Sequence, residues 1–211
     1  MNGETDKNRK LQHSYDLNSK AEPEQPKTKV NFLIHQQMNI LEQFKSIKMI
    51  AMDVDGVLTD GSLLLLPSLE TARSMNVKDG YAMQLAVKKG YHIVVISGAV
   101  DEGAVAFRLK HLGIKDFHHA VKNKSALLSQ KIAELQLLPK EVLFIGDDIP
   151  DLEAMKLCGI ACCPADAVAE IKAISAYISD KEGGKGCVRD ILEKLLKVNN
   201  QWDLDVHTAS K

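Results

Sequence analysis

The sequence lacks the features of membrane, exported and nucleic-acid-binding proteins. No apolar run approaches the ~20 residues that a bilayer-spanning helix needs, and the first 29 residues contain no apolar signal core. Net charge is nearly absent as well, because 27 lysines and arginines face 28 aspartates and glutamates, which leaves −1. A chain without a basic excess has no global electrostatic attraction for nucleic acid. We therefore expect neither a membrane nor nucleic acid among its partners.

Cysteine is scarce too, with four residues: Cys158, Cys162, Cys163 and Cys187. None forms a CxxC pair and two are adjacent, so the spacing indicates neither a zinc knuckle nor a disulfide framework. Free thiols buried in a core are the expected state. Such thiols favour a reducing, cytoplasmic location.

The remaining composition is that of one globular domain with tails. Of 211 residues, 45% are hydrophobic and 26% charged, which are ordinary values. Residues 1–29 are polar and are expected to form a disordered tail. A domain is predicted over residues 30–198, beginning with an amphipathic lead-in helix, and residues 199–211 are expected to form a C-terminal tail.

Strand-like and helix-like segments alternate through this domain. Short apolar runs occur at MIAMDV, HIVVIS, VLFIG and GIACC, each of the length of a strand buried on both faces. Helical patterns lie between them. This alternation predicts an α/β fold, with a mostly parallel sheet between helices.

One segment, near residues 61–76, interrupts the alternation. GSLLLLPSLETARSMNV contains two short apolar stretches around a Pro-Ser pair and predicts a β-hairpin inserted after the first strand. Its four consecutive leucines would promote aggregation if they stayed exposed. We therefore expect the hairpin to pack on a partner subunit.

Polar residues follow several of the predicted strands at the point where each ends. They are Asp53 and Asp55, Ser97 and Gly98, and Asp147, Asp148 and Asp151, with Lys124 opening the helix before the last group. The carboxyl ends of parallel strands share one edge of the sheet, where ligands bind. Several carboxylates at one edge suit a hard divalent cation, above all Mg²⁺, which would also relieve the repulsion between Asp53 and Asp55.

These parts are those of a phosphoryl-transfer site. One carboxylate can attack phosphorus as a covalent nucleophile, and a second can protonate the leaving oxygen and then activate water. A lysine, a hydroxyl donor and the cation can neutralise and orient the phosphoryl oxygens.

The order of the motifs resembles that of the haloacid dehalogenase-like hydrolases. DVDGVLTDG, then SG, then a lysine before a helix, then GDDIPD are similar to the four motifs of that superfamily. NVKDGYAM, FHHAVKNKSALL, GDDIPDLEAM and GGKGCVRDILEKLL further resemble the 3-deoxy-D-manno-octulosonate 8-phosphate phosphatases, relatives of the phosphatases of nine-carbon sialic-type acids. The resemblance covers roughly residues 48–196.

The resemblance implies a role for each residue at the strand ends. Asp53 would be the nucleophile and a Mg²⁺ ligand, and Asp55 the general acid/base, giving its backbone carbonyl to the metal. Asp147 would complete the protein ligands, with Asp148 and Asp151 orienting them. Ser97, Gly98 and Lys124 would bind the phosphate group. It also implies a Rossmann-like core without a large cap domain, and a homotetramer assembled through the hairpin.

The resemblance also implies a set of residues that bind the sugar acid: Asn76, Val77, Lys78, Asp79, Gly80, Gln84 and Arg108, with Lys185 and Arg189 as further candidates near the glycine-rich turn. Family members tend to have arginine where this chain has Lys78, Gln84 and Ala99. Neither lysine nor alanine reproduces the bidentate fork that arginine offers to a carboxylate. The expected substrate is 3-deoxy-D-manno-octulosonate 8-phosphate, and a nine-carbon acid 9-phosphate or another small phosphomonoester is the alternative.

Two non-enzymatic alternatives share part of the pattern. A receiver-type regulatory domain also combines an acidic pair, a phosphorylated aspartate and a lysine, but places the phosphorylated residue on a later strand. A non-catalytic assembly domain would not need both Asp53 and Asp55. The DxDG order therefore favours an enzyme.

Overall fold

The computed structural model describes residues 40–67, 71–100 and 103–202. The predicted N-terminal tail, the first part of the lead-in helix and most of the C-terminal tail lie outside these ranges. Residues 40–44 are helical (α1), and Phe44 at the end of this helix is fully buried. No helix within the described ranges is long and apolar enough to cross a membrane.

A six-stranded, fully parallel sheet forms the centre of the domain. Its strands are β1 (Met49–Met52), β4 (His92–Ile96), β5 (Asp116–His118), β6 (Val142–Ile145), β7 (Ile160–Cys163) and β8 (Tyr177–Ile178). Their order across the sheet is β5-β4-β1-β6-β7-β8. Because the chain runs outward from β1 in one direction and returns to β6 on its other side, the crevice for a ligand lies where β1 and β6 end.

Helices cover both faces of the sheet. They are α2 (Val77–Lys88), α3 (Gly103–His111), α4 (Lys124–Glu134), α5 (Leu152–Leu157), α6 (Ala169–Ile174) and α7 (Cys187–Val198). Alternate residues of β1 point to opposite faces: Ile50 belongs to the core with α1, α2, α3 and α7, and Ala51 to the core with α4, α5 and α6. Burial on both sides explains why the strands are continuous apolar runs, and the α/β prediction is confirmed.

Asparagine side chains define where two helices begin. The Asn76 side chain accepts a hydrogen bond from Lys78 N at the start of α2, and the Asn123 side chain accepts one from Ala126 N at the start of α4. Each satisfies a backbone donor that the helix itself leaves free. The cap at Asn123 therefore fixes Lys124 as the first residue of α4.

The predicted hairpin consists of β2 (Leu64–Leu65) and β3 (Thr71–Ala72), which pair antiparallel as a separate two-stranded sheet. Its tip, residues 68–70, lies outside the described ranges. The side chains of Leu64 and Leu65 are 63% and 75% exposed. Within the described ranges, the hairpin thus presents apolar surface outside the core.

Candidate active site

The site begins where β1 ends, at Asp53. Its backbone N–H donates to the carbonyl of Ile145 (3.1 Å), which continues the pairing of β1 with β6, and its Oδ1 accepts from Val54 N (2.7 Å). The chain then turns through Gly56, whose φ is +88°. A Cβ on Gly56 would lie 1.9 Å from Oδ2 of Asp147, so only glycine allows the β1 turn and the Asp147 carboxylate to meet.

Lys124 connects two of the buried carboxylates. Its Nζ lies 2.8 Å from Oδ1 of Asp53 and 2.7 Å from Oδ1 of Asp151, and its side chain is almost completely buried. Burial disfavours the ammonium, but Asp53 and Asp151 outweigh this effect, so the pKa of Lys124 lies above its ordinary value. The ammonium therefore stays charged.

Asp151 lies inside the acidic cluster. It is fully buried at the end of a 3-10 turn over Ile149–Asp151, and its Oδ2 accepts from Asp147 N (3.1 Å). A Cβ on Gly146 would approach the Cβ of Asp151 to 2.6 Å, so this glycine admits the aspartate. Asp148, by contrast, is exposed and its Oδ1 accepts from Ile149 N (2.7 Å), which caps the turn.

Asp53, Asp147 and Asp151 form a group that fits a divalent cation. Each offers a carboxylate oxygen, and the three oxygens lie within 4.8 Å of one another. Burial, followed by repulsion from Asp151, raises the pKa of Asp53. Burial, followed by repulsion from Asp53 and Asp151, raises the pKa of Asp147 to about 8, and the buried Asp147 Oδ1 lacks a hydrogen-bond partner among the described residues. The three carboxylates carry more negative charge than the single ammonium of Lys124 can balance. A hard divalent cation would supply the missing positive charge.

Asp55 is bound by Arg73, the residue that directly follows β3 at the base of the hairpin. Its Oδ1 accepts from Arg73 Nε (2.7 Å) and its Oδ2 from Arg73 Nη2 (3.2 Å). The hydroxyl of the buried Thr59 lies 3.3 Å from the same Oδ1. Arg73 was not among the predicted site residues; the signal available was a basic residue directly after the return strand of an insertion that follows DxDG.

Ser97 and Gly98 lie beside Asp53, at the end of the neighbouring strand β4. Ser97 N donates to the carbonyl of His118 (2.8 Å), and the Ser97 hydroxyl accepts from Ala99 N (3.1 Å). Gly98 is exposed, and the atom nearest to a Cβ built there is the carbonyl oxygen of Val121, at 3.9 Å. Ser97 is thus buried beside the end of β1, and the backbone of Gly98 is exposed at this edge of the sheet.

The predicted sugar-acid residues on α2 separate into different surroundings. Val77 and Lys78 are exposed. Gly80 lies under Arg108, because a Cβ there would approach Arg108 Nη2 to 2.9 Å. Gln84 Oε1 is buried and has no partner among the described residues.

Asp79 has a different environment: it is buried, and its Oδ1 accepts from Arg189 N (2.6 Å) in the first turn of α7. Arg189 itself pairs with Glu193 (2.7 Å) and stacks on Trp202, 4.4 Å from the ring centroid. Asp79 and Arg189 therefore join α2 to α7.

Asp79→Asn is expected to stabilise the protein at neutral pH. Burial raises the pKa of Asp79 from 3.8 to about 6, so the folded state binds a proton more tightly than the unfolded state. The charged form therefore lowers the free energy of unfolding progressively as pH rises from about 4 to about 6, by about 3 kcal/mol in full. Asparagine keeps the acceptor for Arg189 N without the charge. Chemical denaturation should show a gain of about 1–3 kcal/mol at pH 7.5 that falls to about a third of that at pH 4.5; an equal effect at both pH values would contradict this assignment.

The GGKG turn (residues 183–186) packs beneath the loop that follows Asp53 (residues 54–60, called the catalytic loop below) in the same chain. A Cβ on Gly183 would lie 2.0 Å from the carbonyl oxygen of Gly56, and Gly184 N donates to the carbonyl of Val57 (3.0 Å). Lys185 lies 3.3 Å from Asp60. The turn thus supports the loop that follows Asp53.

Comparisons with known proteins agree with this geometry. A family model described as haloacid dehalogenase-like hydrolase matches residues 76–159. The 3-deoxy-D-manno-octulosonate 8-phosphate phosphatase of Salmonella typhi is 28% identical over 78% of this chain and 87% of its own length.

Solved structures extend the comparison to the whole fold. The phosphatase of the same name from Moraxella catarrhalis, in complex with magnesium, phosphate and the free sugar acid, is 32% identical, with a TM-score of 0.74 over 77% of this chain and 94% of that one. A cobalt-bound phosphatase of this type from Haemophilus influenzae is 30% identical, with a TM-score of 0.71 over 75% and 92%.

Proposed function

Since the chain belongs to the haloacid dehalogenase-like hydrolases, within the 3-deoxy-D-manno-octulosonate 8-phosphate phosphatase family, we propose that it hydrolyses that phosphomonoester to the free sugar acid and phosphate. It is a phosphatase, and its cofactor is Mg²⁺. The observation that carries the proposal is the group of Asp53, Asp147 and Asp151 at the carboxyl ends of β1 and β6, in which Lys124 binds Asp53 and Asp151.

In the proposed mechanism, a carboxylate oxygen of Asp53 attacks phosphorus and forms an aspartyl-phosphate while the bond to the sugar oxygen breaks. The carboxyl of Asp55 gives its proton to that departing oxygen, and the resulting carboxylate then accepts a proton from the water that hydrolyses the intermediate. Lys124 supplies positive charge beside Asp53, and the Ser97 hydroxyl and Gly98 amide can bind phosphoryl oxygens.

Asp53, Asp147 and Asp151 would hold the cation, together with the backbone carbonyl of Asp55. When bound, Mg²⁺ neutralises charge on the phosphoryl group and allows its approach to the Asp53 carboxylate. Asp148 caps the adjoining turn and would keep Asp151 in place.

The part of the substrate beyond the phosphate would lie toward α2 and α3. Arg108 lies over Gly80 there and can bind a carboxylate through two parallel hydrogen bonds, with Lys78 and Gln84 on the same helix as Gly80. Asn76 and Asp79 hold the ends of α2 and α7 and would support this surface indirectly, and Val77 adds exposed apolar surface.

A phosphate-release assay over a panel of substrates tests the proposal. The panel comprises the eight-carbon acid 8-phosphate, a nine-carbon acid 9-phosphate, neutral hexose 6-phosphates and an activated aryl phosphate, each with Mg²⁺ and with EDTA. We expect Mg²⁺-dependent release, with the highest kcat/KM for the eight-carbon acid. A preference for the nine-carbon acid 9-phosphate would change the proposed substrate but not the proposed phosphatase activity. No release from any substrate would favour a non-catalytic assembly domain.

We also propose that the chain forms a homotetramer through the hairpin, in the cytoplasm. The exposed Leu64 and Leu65 support the assembly, and four free cysteines, three of them buried, support a reducing compartment. Sedimentation equilibrium should give four times the chain mass of 23.3 kDa, and Leu65→Glu should shift it to smaller species. A monomeric wild-type protein would contradict this proposal.

A further inference from the structure

Arg73 joins the hairpin to the catalytic loop. It directly follows β3 (Thr71–Ala72), and its side chain is only 9% exposed. The two hydrogen bonds to Asp55, at 2.7 and 3.2 Å, come from two different guanidinium nitrogens and reach two different carboxylate oxygens. This is the bidentate arrangement, which fixes orientation as well as distance.

The pair has the features of an orienting contact. Most exposed ion pairs contribute little, because both side chains remain mobile in water. Here the guanidinium is largely buried, and the Thr71 hydroxyl, 3.3 Å from Nη1, holds its other side. The carboxylate of Asp55 is 33% exposed, so it keeps an open side toward solvent.

Two different basic side chains therefore bind the carboxylates of the site. Lys124 binds Asp53, the proposed nucleophile, and Asp151, which belongs with Asp53 to the group that would bind the divalent cation. Arg73 binds Asp55, the residue that must exchange protons.

We infer that Arg73 is a positioning residue that orients the Asp55 carboxylate for the second half of the reaction, the hydrolysis of the aspartyl-phosphate. This inference rests on the proposed function. In that step the water oxygen forms a bond to phosphorus, the bond from phosphorus to the Asp53 oxygen breaks, and one water proton passes to Asp55. The Asp53 carboxylate and inorganic phosphate are the products.

Pre-steady-state kinetics of Arg73→Ala with an activated aryl phosphate separate this role from others. With nitrophenyl phosphate as the substrate, the departing nitrophenolate needs no proton. The ratio kcat/KM reports only the steps up to the formation of the aspartyl-phosphate, so it should stay within about threefold of wild type. The breakdown of the intermediate loses an oriented proton acceptor, so kcat should fall roughly 10- to 100-fold. A burst of nitrophenol, stoichiometric with enzyme, should appear.

Rescue and conservative variants make the test specific. Added guanidinium ion at non-denaturing concentration should restore part of kcat to Arg73→Ala and none to Asp55→Asn. Arg73→Lys should recover little, because an ammonium cannot hold two oxygens in one plane. Lys48→Ala is the control, since the exposed Lys48 pairs with Glu141 (2.7 Å) at the amino end of β1, away from the site, and its loss should leave both kinetic parameters unchanged.

The outcomes distinguish this inference from the function on which it rests. An unchanged kcat, or an equal fall in kcat and kcat/KM with no burst, in folded Arg73→Ala would overturn the role of Arg73. If Arg73→Ala does not fold, Arg73→Gln is measured in its place, with the same expectations apart from rescue. A wild-type enzyme inactive on every phosphate would overturn the proposed function and this inference together.

Discussion

Asp53→Asn should abolish phosphatase activity, with a loss of at least about 10⁴-fold in kcat. The amide has the shape of the carboxylate but cannot attack phosphorus or form the acyl-phosphate bond. Phosphate release from the best substrate of the panel, at saturating Mg²⁺, measures the effect.

The same substitution should not destabilise the metal-free protein. Burial and the neighbouring Asp151 raise the pKa of Asp53, which means that its charge destabilises the fold once pH exceeds the ordinary value of an aspartate. In EDTA at pH 7.5 the variant should therefore unfold at or above the wild-type temperature, while the gain in Tm on adding Mg²⁺ should shrink.

A loss of activity together with an unchanged or higher Tm distinguishes a functional carboxylate from a structural one. Asp180→Asn is a suitable control, because Asp180 is exposed and pairs with Lys181 (3.0 Å) on the surface; both measurements should stay at wild-type values. Residual activity of Asp53→Asn above about 1% of wild type, after deamidation is excluded by mass spectrometry, would remove Asp53 from the role of nucleophile.

Lys124→Met should damage both stability and catalysis. The methionine fills a similar volume but leaves the carboxylates of Asp53 and Asp151 buried without their counter-ion, which costs about 3–5 kcal/mol. For a domain of this size the loss corresponds to a fall in Tm of roughly 10 °C. Since charge stabilisation of the phosphoryl group is also lost, kcat/KM should fall about 10³-fold.

The stability defect of Lys124→Met should depend on pH and on Mg²⁺. Without the ammonium, which lowers the pKa of Asp53 in wild type, the pKa of Asp53 rises further, so the free energy of unfolding falls more steeply than in wild type as pH increases from about 4 to about 8. The defect should be smaller at pH 5, where Asp53 is protonated, and saturating Mg²⁺ should narrow it at pH 7.5.

Lys131→Met provides a matched control on the same helix. Lys131 also contacts two carboxylates, those of Asp116 and Glu134, both at 3.1 Å, but these partners are partly exposed and water can replace the ammonium. Its loss should cost less than about 1 kcal/mol. Equal losses for the two lysine variants would show that Lys124 is an ordinary surface-type partner.

The sequence predicted the parts of the site that depend on local pattern. Strands buried on both faces are continuous apolar runs, so the position of Asp53 after β1 and of Asp147 after β6 could be inferred from where those runs stop. Parallel strand order then brought them to one edge. The predicted roles of these residues stay predictions that the variants above will test.

The contacts that sequence could not supply join segments distant in the chain. Arg73 reaches Asp55 only because the hairpin folds back across 18 residues. Asp79 accepts a hydrogen bond from the first turn of a helix 110 residues away, and no spacing within NVKDG predicts this contact. The role expected for Asp151, which is to orient the metal ligands, stays a prediction; its close approach to Asp53 and Asp147 depends on the 3-10 turn and on the missing side chain of Gly146.

The packing of the GGKG turn under the catalytic loop has a consequence for how the protein is made. The Cys187 thiol lies 3.3 Å from the carbonyl oxygen of Val57, across 130 residues of sequence. On a ribosome, the loop after Asp53 emerges long before the glycines that support it, and contacts of such high sequence separation form late in folding. The nascent chain therefore holds its nucleophile on an unsupported loop, and competence for catalysis arrives only when the GGKG turn and α7 have been made.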